Sequence, residues 1–159
     1  MGANRGLAQR VTRDLSAQHR DAMPQGSVES HLAVINQVAD VSHVAEFRDN
    51  VAALGDDDKW LSAAKQSFLK GSPSSAHVIF EQVKRGKHLS LRETFQFELG
   101  LSVQFTRHAD LAEGVRALLI DKDQNPQWSP ATLEAVTAEM VETYFSSPWG
   151  DEGHPLADL

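Results

Sequence analysis

The apolar residues of this chain recur three and four apart, and each run is bounded by residues that start or stop helices. Leu7, Val11 and Leu15 form a narrow stripe ahead of Pro24, and Leu32, Ile35, Val38 and Ala39 form a second. That period places one apolar face along a helix. A third run carries Val44, Phe47, Val51 and Leu54, with Ser42 as its expected cap and Gly55 as its stop. A fourth opens at Asp57 or Asp58, carries Trp60, Leu61, Ala64 and Phe68, and closes at Gly71. Side-chain oxygens at such starts satisfy free backbone N–H groups, and glycine suits the stop.

Ser72-Pro73 reads as a hydroxyl cap followed by proline where no donor is needed, opening a helix with Ala76, Ile79, Phe80 and Val83 that ends at Gly86. Ser90-Leu91-Arg92-Glu93 spells a capping box. The helix behind it is apolar on a wide front, with Leu91, Phe95 and Leu99 on one side and Phe97, Leu101 and Phe105 on another. Two covered faces are expected, the second packing on a domain outside this chain, with Gly100 allowing a close neighbour. Asp110 and Glu113 are expected to form another capping box ahead of Leu111, Val115, Leu118 and Leu119. Ser129-Pro130 predicts a short helix with Leu133 and Val136, and a last helix carries Met140, Val141, Tyr144 and Phe145 before Pro148. No stretch alternates as a strand would, so the fold class expected is all-α.

Composition narrows the function classes. At 159 residues the chain suits one domain, and its net charge of −7 argues against general nucleic-acid binding. With no cysteine, disulfides, thiolate zinc sites and cysteine nucleophiles are excluded. No apolar run reaches membrane-spanning length, and the N-terminus lacks the apolar core of a signal peptide. The expected location is cytoplasmic, with no membrane partner.

Asp121, Asp123 and Asn125 alternate as D-x-D-x-N, the opening of a calcium-binding EF-hand loop. That loop needs glycine at its sixth position and a bidentate glutamate at its twelfth. Pro126 and Thr132 stand there, and proline cannot adopt the required positive φ. The seven histidines are scattered without metal-binding spacing, so no metal ligand is assigned. Nucleophile elbows, phosphate loops and dinucleotide fingerprints are absent. Lys84, Arg85, Lys87 and His88 cluster across a helix C-terminus, where positive charge complements the helix dipole; phosphate binding is the alternative.

The run from Gly71 to Phe145 resembles the C-terminal part of 3-hydroxyisobutyryl-CoA hydrolases, the thioesterase branch of the enoyl-CoA hydratase/isomerase (crotonase) superfamily. S-P-S-S opening a helix, "RGKHLSL", "EGVRALLIDKDQNPQW" and the following S-P-A-T-L-E-A-V carry the likeness. A weaker likeness reaches back to about Glu29, and the closing "SSPWGDEGHPLADL" looks like a bacterial form of the tail. Residues 1–28 are expected to be a variable N-terminal helix, and residues 29–159 the helical C-terminal region.

The resemblance implies hydrolysis of 3-hydroxyisobutyryl-CoA to the free acid and CoA, in valine catabolism. It also implies a spiral β/α core, expected to lie outside this chain, whose backbone N–H groups hold the thioester oxygen and whose carboxylates activate water. No catalytic residue is therefore assigned here, and the isolated chain is expected to be inactive. No separate cofactor is expected, coenzyme A being part of the substrate. The expected partners are the acyl-CoA of the complete enzyme and the spiral-core half, or a second copy by self-association. Hydratases of the superfamily carry E-G-x-x-A-F-x-E-K at the matching element, and its lysine reaches the phosphate or adenine end of CoA. Lys122 is the matching position, with one more residue between it and Glu113 than in that pattern. Two other readings stand beside this one. The chain could be a stand-alone helical interaction module, binding through Phe97, Leu101 and Phe105, or part of a hydratase or isomerase.

Overall fold

A computed structural model describes residues 2–158, with helices as its regular elements and no strand among the described residues. They fall into two compact units, Met1–Ala39 and Asp40–Leu159. The first holds α1 (Gly2–Gln18), a 3-10 turn (Arg20–Ala22), α2 (Ser27–Ser30) and α3 (Leu32–Ala39). None of residues 6–39 is buried, and the Leu7, Val11 and Leu15 stripe is about half exposed. Residues 6–39 thus have helical periodicity without a buried core. No helix among the described residues is long and apolar enough to cross a membrane.

The second unit holds α4 (Val44–Ala52), α5 (Lys59–Lys70), α6 (Pro73–Gly86), α7 (Leu91–Arg107), α8 (Ala109–Val115) and α9 (Ala138–Phe145). Local chemistry explains most of the starts. Asp58 Oδ1 accepts from the Trp60 and Leu61 amides at 2.8 and 2.9 Å to open α5. Ser72 Oγ accepts from the Ser75 amide at 3.0 Å to open α6, with Pro73 in its first turn. The Ser90–Glu93 capping box is complete, and Thr137 caps α9. Each such cap contributes about 1 kcal/mol.

Three expected starts are corrected. Ser42 does not cap α4; His43 holds that position, and the Ser42 amide instead donates to Glu46 Oε2 at 3.0 Å. Asp110 and Glu113 form no capping box, because both carboxylates are engaged by partners distant in sequence or one turn ahead, described below. Ser129-Pro130 starts no helix; only a 3-10 turn forms, at Leu133–Ala135, and the Ser129-Pro130 peptide is cis. The Ser129 amide is taken by Asp110.

The core gathers Val78 from α6, Leu101 from α7, Val136, and Val141 and Tyr144 from α9, with Phe97, Phe105 and Phe145 packed against it. Val78 is fully buried. Phe97 stacks on Phe145 with centroids 5.7 Å apart, and Phe105 lies 4.9 Å from Tyr144. Aromatic pairs at such spacing add about 0.5–1.5 kcal/mol beyond their buried area. The Phe97, Leu101 and Phe105 face of α7, expected to await a partner, is therefore filled from within the unit by α6 and α9. Its other side is the open one, with Leu91 74% and Phe95 50% exposed. Periodicity located both faces but could not say which neighbour reached which.

One buried carboxylate ties this packing together. Asp110 is 5% exposed; its Oδ2 accepts from Ser72 Oγ at 2.5 Å and its Oδ1 from the Ser129 amide at 3.0 Å. Ser72 Oγ is already the cap of α6, so one hydroxyl links the start of α6 to α8. Close by, Tyr144 has its phenol pushed upward, chiefly by burial and against a hydrogen bond with Ser74. Replacing Asp110 with alanine would leave Ser72 Oγ and the Ser129 amide without acceptors. Urea unfolding of Asp110→Ala is expected to show a loss of about 2–4 kcal/mol, against less than about 1 kcal/mol for Leu91→Ala on the open face. Equal losses would contradict this account.

Candidate functional site

Helix α8 does not end cleanly. It widens into a π-helical turn, Arg116–Ile120, closed by the Asp121 amide donating to the Arg116 carbonyl at 2.8 Å. A π turn absorbs one extra residue in a helix, and such turns are frequent at functional sites. Lys122 then adopts φ +58° and Gln124 φ +53°, the left-handed region that costs a non-glycine residue about 1–3 kcal/mol. Such a turn persists only where its surroundings hold it.

Arg116 is what holds it. Its Nε and Nη2 donate to the two oxygens of Glu113, each at 2.8 Å. Nη1 donates to Asp121 Oδ2 at 2.6 Å and Asp123 Oδ2 at 2.7 Å, and Nη2 reaches the Asn125 carbonyl at 3.2 Å. Guanidinium has five N–H donors, and all are used. The Asn125 amide donates to Asp123 Oδ1 and the Gln127 amide to Glu113 Oε1, so the carboxylates also order the backbone they sit on. The D-x-D-x-N pattern therefore does enclose a cation, but it is the chain's own guanidinium.

These contacts act on protonation. Glu113 is lowered to about 2, first by the hydrogen bonds from Arg116 and then by the Gln127 amide. Asp123 is lowered by Arg116 and then by the Asn125 amide, while Arg116 is raised, chiefly by Glu113.

Lys122, the residue carried from the family likeness, is exposed. Its neighbouring aspartates both bind Arg116, and Lys122 makes no hydrogen bond or ion pair among the described residues. Neither aspartate pairs with Lys122. Beside it, Leu118, Leu119 and Ile120 are 61%, 66% and 70% exposed. Leu118 and Leu119 border an open apolar groove of about 350 Å³, floored by Gly114 and Trp128. Trp128 is fixed there by Nε1 donating to the Lys70 carbonyl at 2.9 Å. The second basic cluster is different: Lys84 bonds Glu81 and the Ser42 carbonyl, and Arg85 grips Glu142 and lies over the Phe145 ring. Those two cations are engaged within the unit. No group of three or more His, Asp and Glu residues arranged for a metal occurs among the described residues.

Sequence reasoning missed Arg116. The i,i+3 spacing of Glu113 and Arg116 was a readable signal, but its reach to Asp121 and Asp123 depends on the π turn. Because the folded carboxyl of Glu113 lies below its unfolded value of roughly 4.3, its contribution is present above that value and lost as pH falls through about 2. Thermal melts between pH 5 and pH 2 should therefore fall less steeply for Glu113→Gln than for the unaltered chain, and parallel curves would contradict the hub.

A sequence model of the enoyl-CoA hydratase/isomerase family matches residues 3–145. The mitochondrial 3-hydroxyisobutyryl-CoA hydrolase of Danio rerio is 34% identical over 129 residues, 81% of this chain and 33% of the relative. That of Xenopus tropicalis is 37% identical over 117 residues, and the human protein 35% over 120. The chain thus spans about a third of the length of these curated relatives. Among solved structures, a carnitinyl-CoA dehydratase from Mycobacterium thermoresistibile superposes with a TM-score of 0.67 at 30% identity, over 87% of this chain and 42% of that one. An enoyl-CoA hydratase from Rhodobacter sphaeroides shares the fold with a TM-score of 0.68 at 24% identity, over 88% of this chain and 43% of that one. The all-α architecture matches the C-terminal helical region of a crotonase-type protein. The chain belongs to the enoyl-CoA hydratase/isomerase family.

Proposed function

We propose that the chain forms the C-terminal helical part of an acyl-CoA thioester hydrolase that cleaves 3-hydroxyisobutyryl-CoA to 3-hydroxyisobutyrate and CoA, a step of valine catabolism. The similarity to 3-hydroxyisobutyryl-CoA hydrolases, at 34% to 37% identity over roughly three quarters of this chain, carries the reading. In it, the helices help cover the acyl-CoA site. Stabilisation of the thioester oxyanion and activation of water fall to a spiral β/α core that packs beside them. Coenzyme A enters as part of the substrate.

Within this reading Lys122 contacts the phosphates of CoA. A lysine ammonium is a compact point charge suited to phosphate, and this one is exposed and unclaimed by its neighbours. The 30% identity to a carnitinyl-CoA dehydratase favours a second reading, a hydratase or isomerase of the same family.

Thiol release from 3-hydroxyisobutyryl-CoA by the protein that carries this sequence is the direct test. Hydrolysis is expected; hydration of a 2-enoyl-CoA without thiol release would replace it with the second reading. The 159-residue chain by itself is expected to release no thiol above buffer, and release by it alone would overturn the division of labour. Lys122→Ala should raise KM roughly three- to tenfold with kcat within about twofold, as expected for one charge-assisted contact. An unchanged KM would remove Lys122 from the site.

A further inference from the structure

Lys122 lies between two aspartates on an exposed turn, either of which could pair with its ammonium. Neither does. Asp121 and Asp123 both bind the same Nη1 of Arg116, at 2.6 and 2.7 Å. The backbone makes this possible. Residues 122 and 124 are left-handed, and the carboxylates of residues 121 and 123 converge on one nitrogen. The π turn contributes as well, since the Arg116 carbonyl accepts the Asp121 amide while its guanidinium holds the Asp121 carboxylate. Residue 116 thus grips residue 121 at both ends. Three carboxylates against one guanidinium leave the hub net negative, so an aspartate released from it has the adjacent Lys122 ammonium as a partner within the same turn.

We propose that Arg116 is a positioning residue: by occupying Asp121 and Asp123 it keeps the Lys122 ammonium free for an anionic ligand. The phosphates of CoA are that ligand, a step that rests on the functional reading above. A lysine at 116 would not do the same, because a single ammonium cannot present the planar fork that spans Glu113 and both aspartates.

The test reads the lysine and the enzyme separately. Acetylation of Lys122 by acetic anhydride, followed by peptide mass spectrometry, reports whether the ammonium is captured. Arg116→Gln is expected to slow it roughly three- to tenfold, since a newly formed ion pair protects the amine. Arg116→Lys should slow it less, and R116Q/D121N/D123N should restore the original rate. In the protein that carries this sequence, Arg116→Gln should raise KM for 3-hydroxyisobutyryl-CoA to the level of Lys122→Ala without lowering kcat. Combined with Lys122→Ala it should add nothing further. A pantetheine thioester, which lacks the nucleotide phosphates, should be indifferent to both.

An acetylation rate unchanged in both Arg116→Gln and Arg116→Lys would overturn the inference. So would a fall in kcat, or an equal loss with the pantetheine thioester, either of which would make Arg116 a structural residue alone. Slowed acetylation together with an unaltered KM in Lys122→Ala supports the role of Arg116 and overturns the CoA reading of Lys122.

Discussion

The buried carboxylate of Asp110 is the interaction on which the second unit depends. It joins the hydroxyl that caps α6, the first turn of α8 and the backbone at Ser129. A buried charge is costly unless hydrogen-bonded, and here both oxygens are engaged. It also lies at the N-terminal end of α6, where the helix dipole favours a negative group. Everything between residues 110 and 129 is consequently a closed excursion with anchored ends. Helix α8 leaves from one anchor, and the chain returns through Trp128, whose indole N–H satisfies a carbonyl at the end of α5.

Within that excursion a second polar centre does what the hydrophobic core cannot. Leu118, Leu119 and Ile120 face outward, so burial contributes little to holding the turn. The guanidinium of Arg116 substitutes for a core, bringing together three carboxylates and a carbonyl from a segment of thirteen residues, Glu113 to Asn125. Exposed ion pairs taken singly contribute about 0–1 kcal/mol, but a bidentate contact inside a network is the arrangement in which they count. The alternating aspartates of the apparent calcium motif are taken up in this way by the chain's own guanidinium. Alternating carboxylates on a tight turn suit any compact cation, and an arginine one turn back supplies it at no entropic cost of recruiting an ion from solution.

The all-α class, most helix bounds, the Asp58, Ser72 and Ser90 caps and the family were legible in the sequence, because each rests on contacts within four residues or on an extended string of identities. What escaped rests on longer reach. Asp110 and Glu113 satisfy the capping-box pattern, yet tertiary partners outcompeted the local amides: Ser72 and Ser129 for the first, Arg116 and Gln127 for the second. Similarly, the two apolar sides of α7 were visible as periodicity. Only the positions of α6 and α9 decide that Phe97, Leu101 and Phe105 turn inward while Leu91 and Phe95 remain open. Lys122 was singled out through family likeness, whereas the hold of Arg116 on both neighbouring aspartates required three dimensions.

The π turn connects these levels. Residues five apart on a regular helix lie about 140° from one another, since 3.6 residues complete a turn. Such a rotation would carry Asp121 away from Arg116. Widening the helix over Arg116–Ile120 brings the two together, with the Asp121 amide donating to the Arg116 carbonyl. The hub then fixes the result by gripping both aspartates. Lys122 is thereby left displayed at the outer edge of the turn, with the exposed leucines beside it.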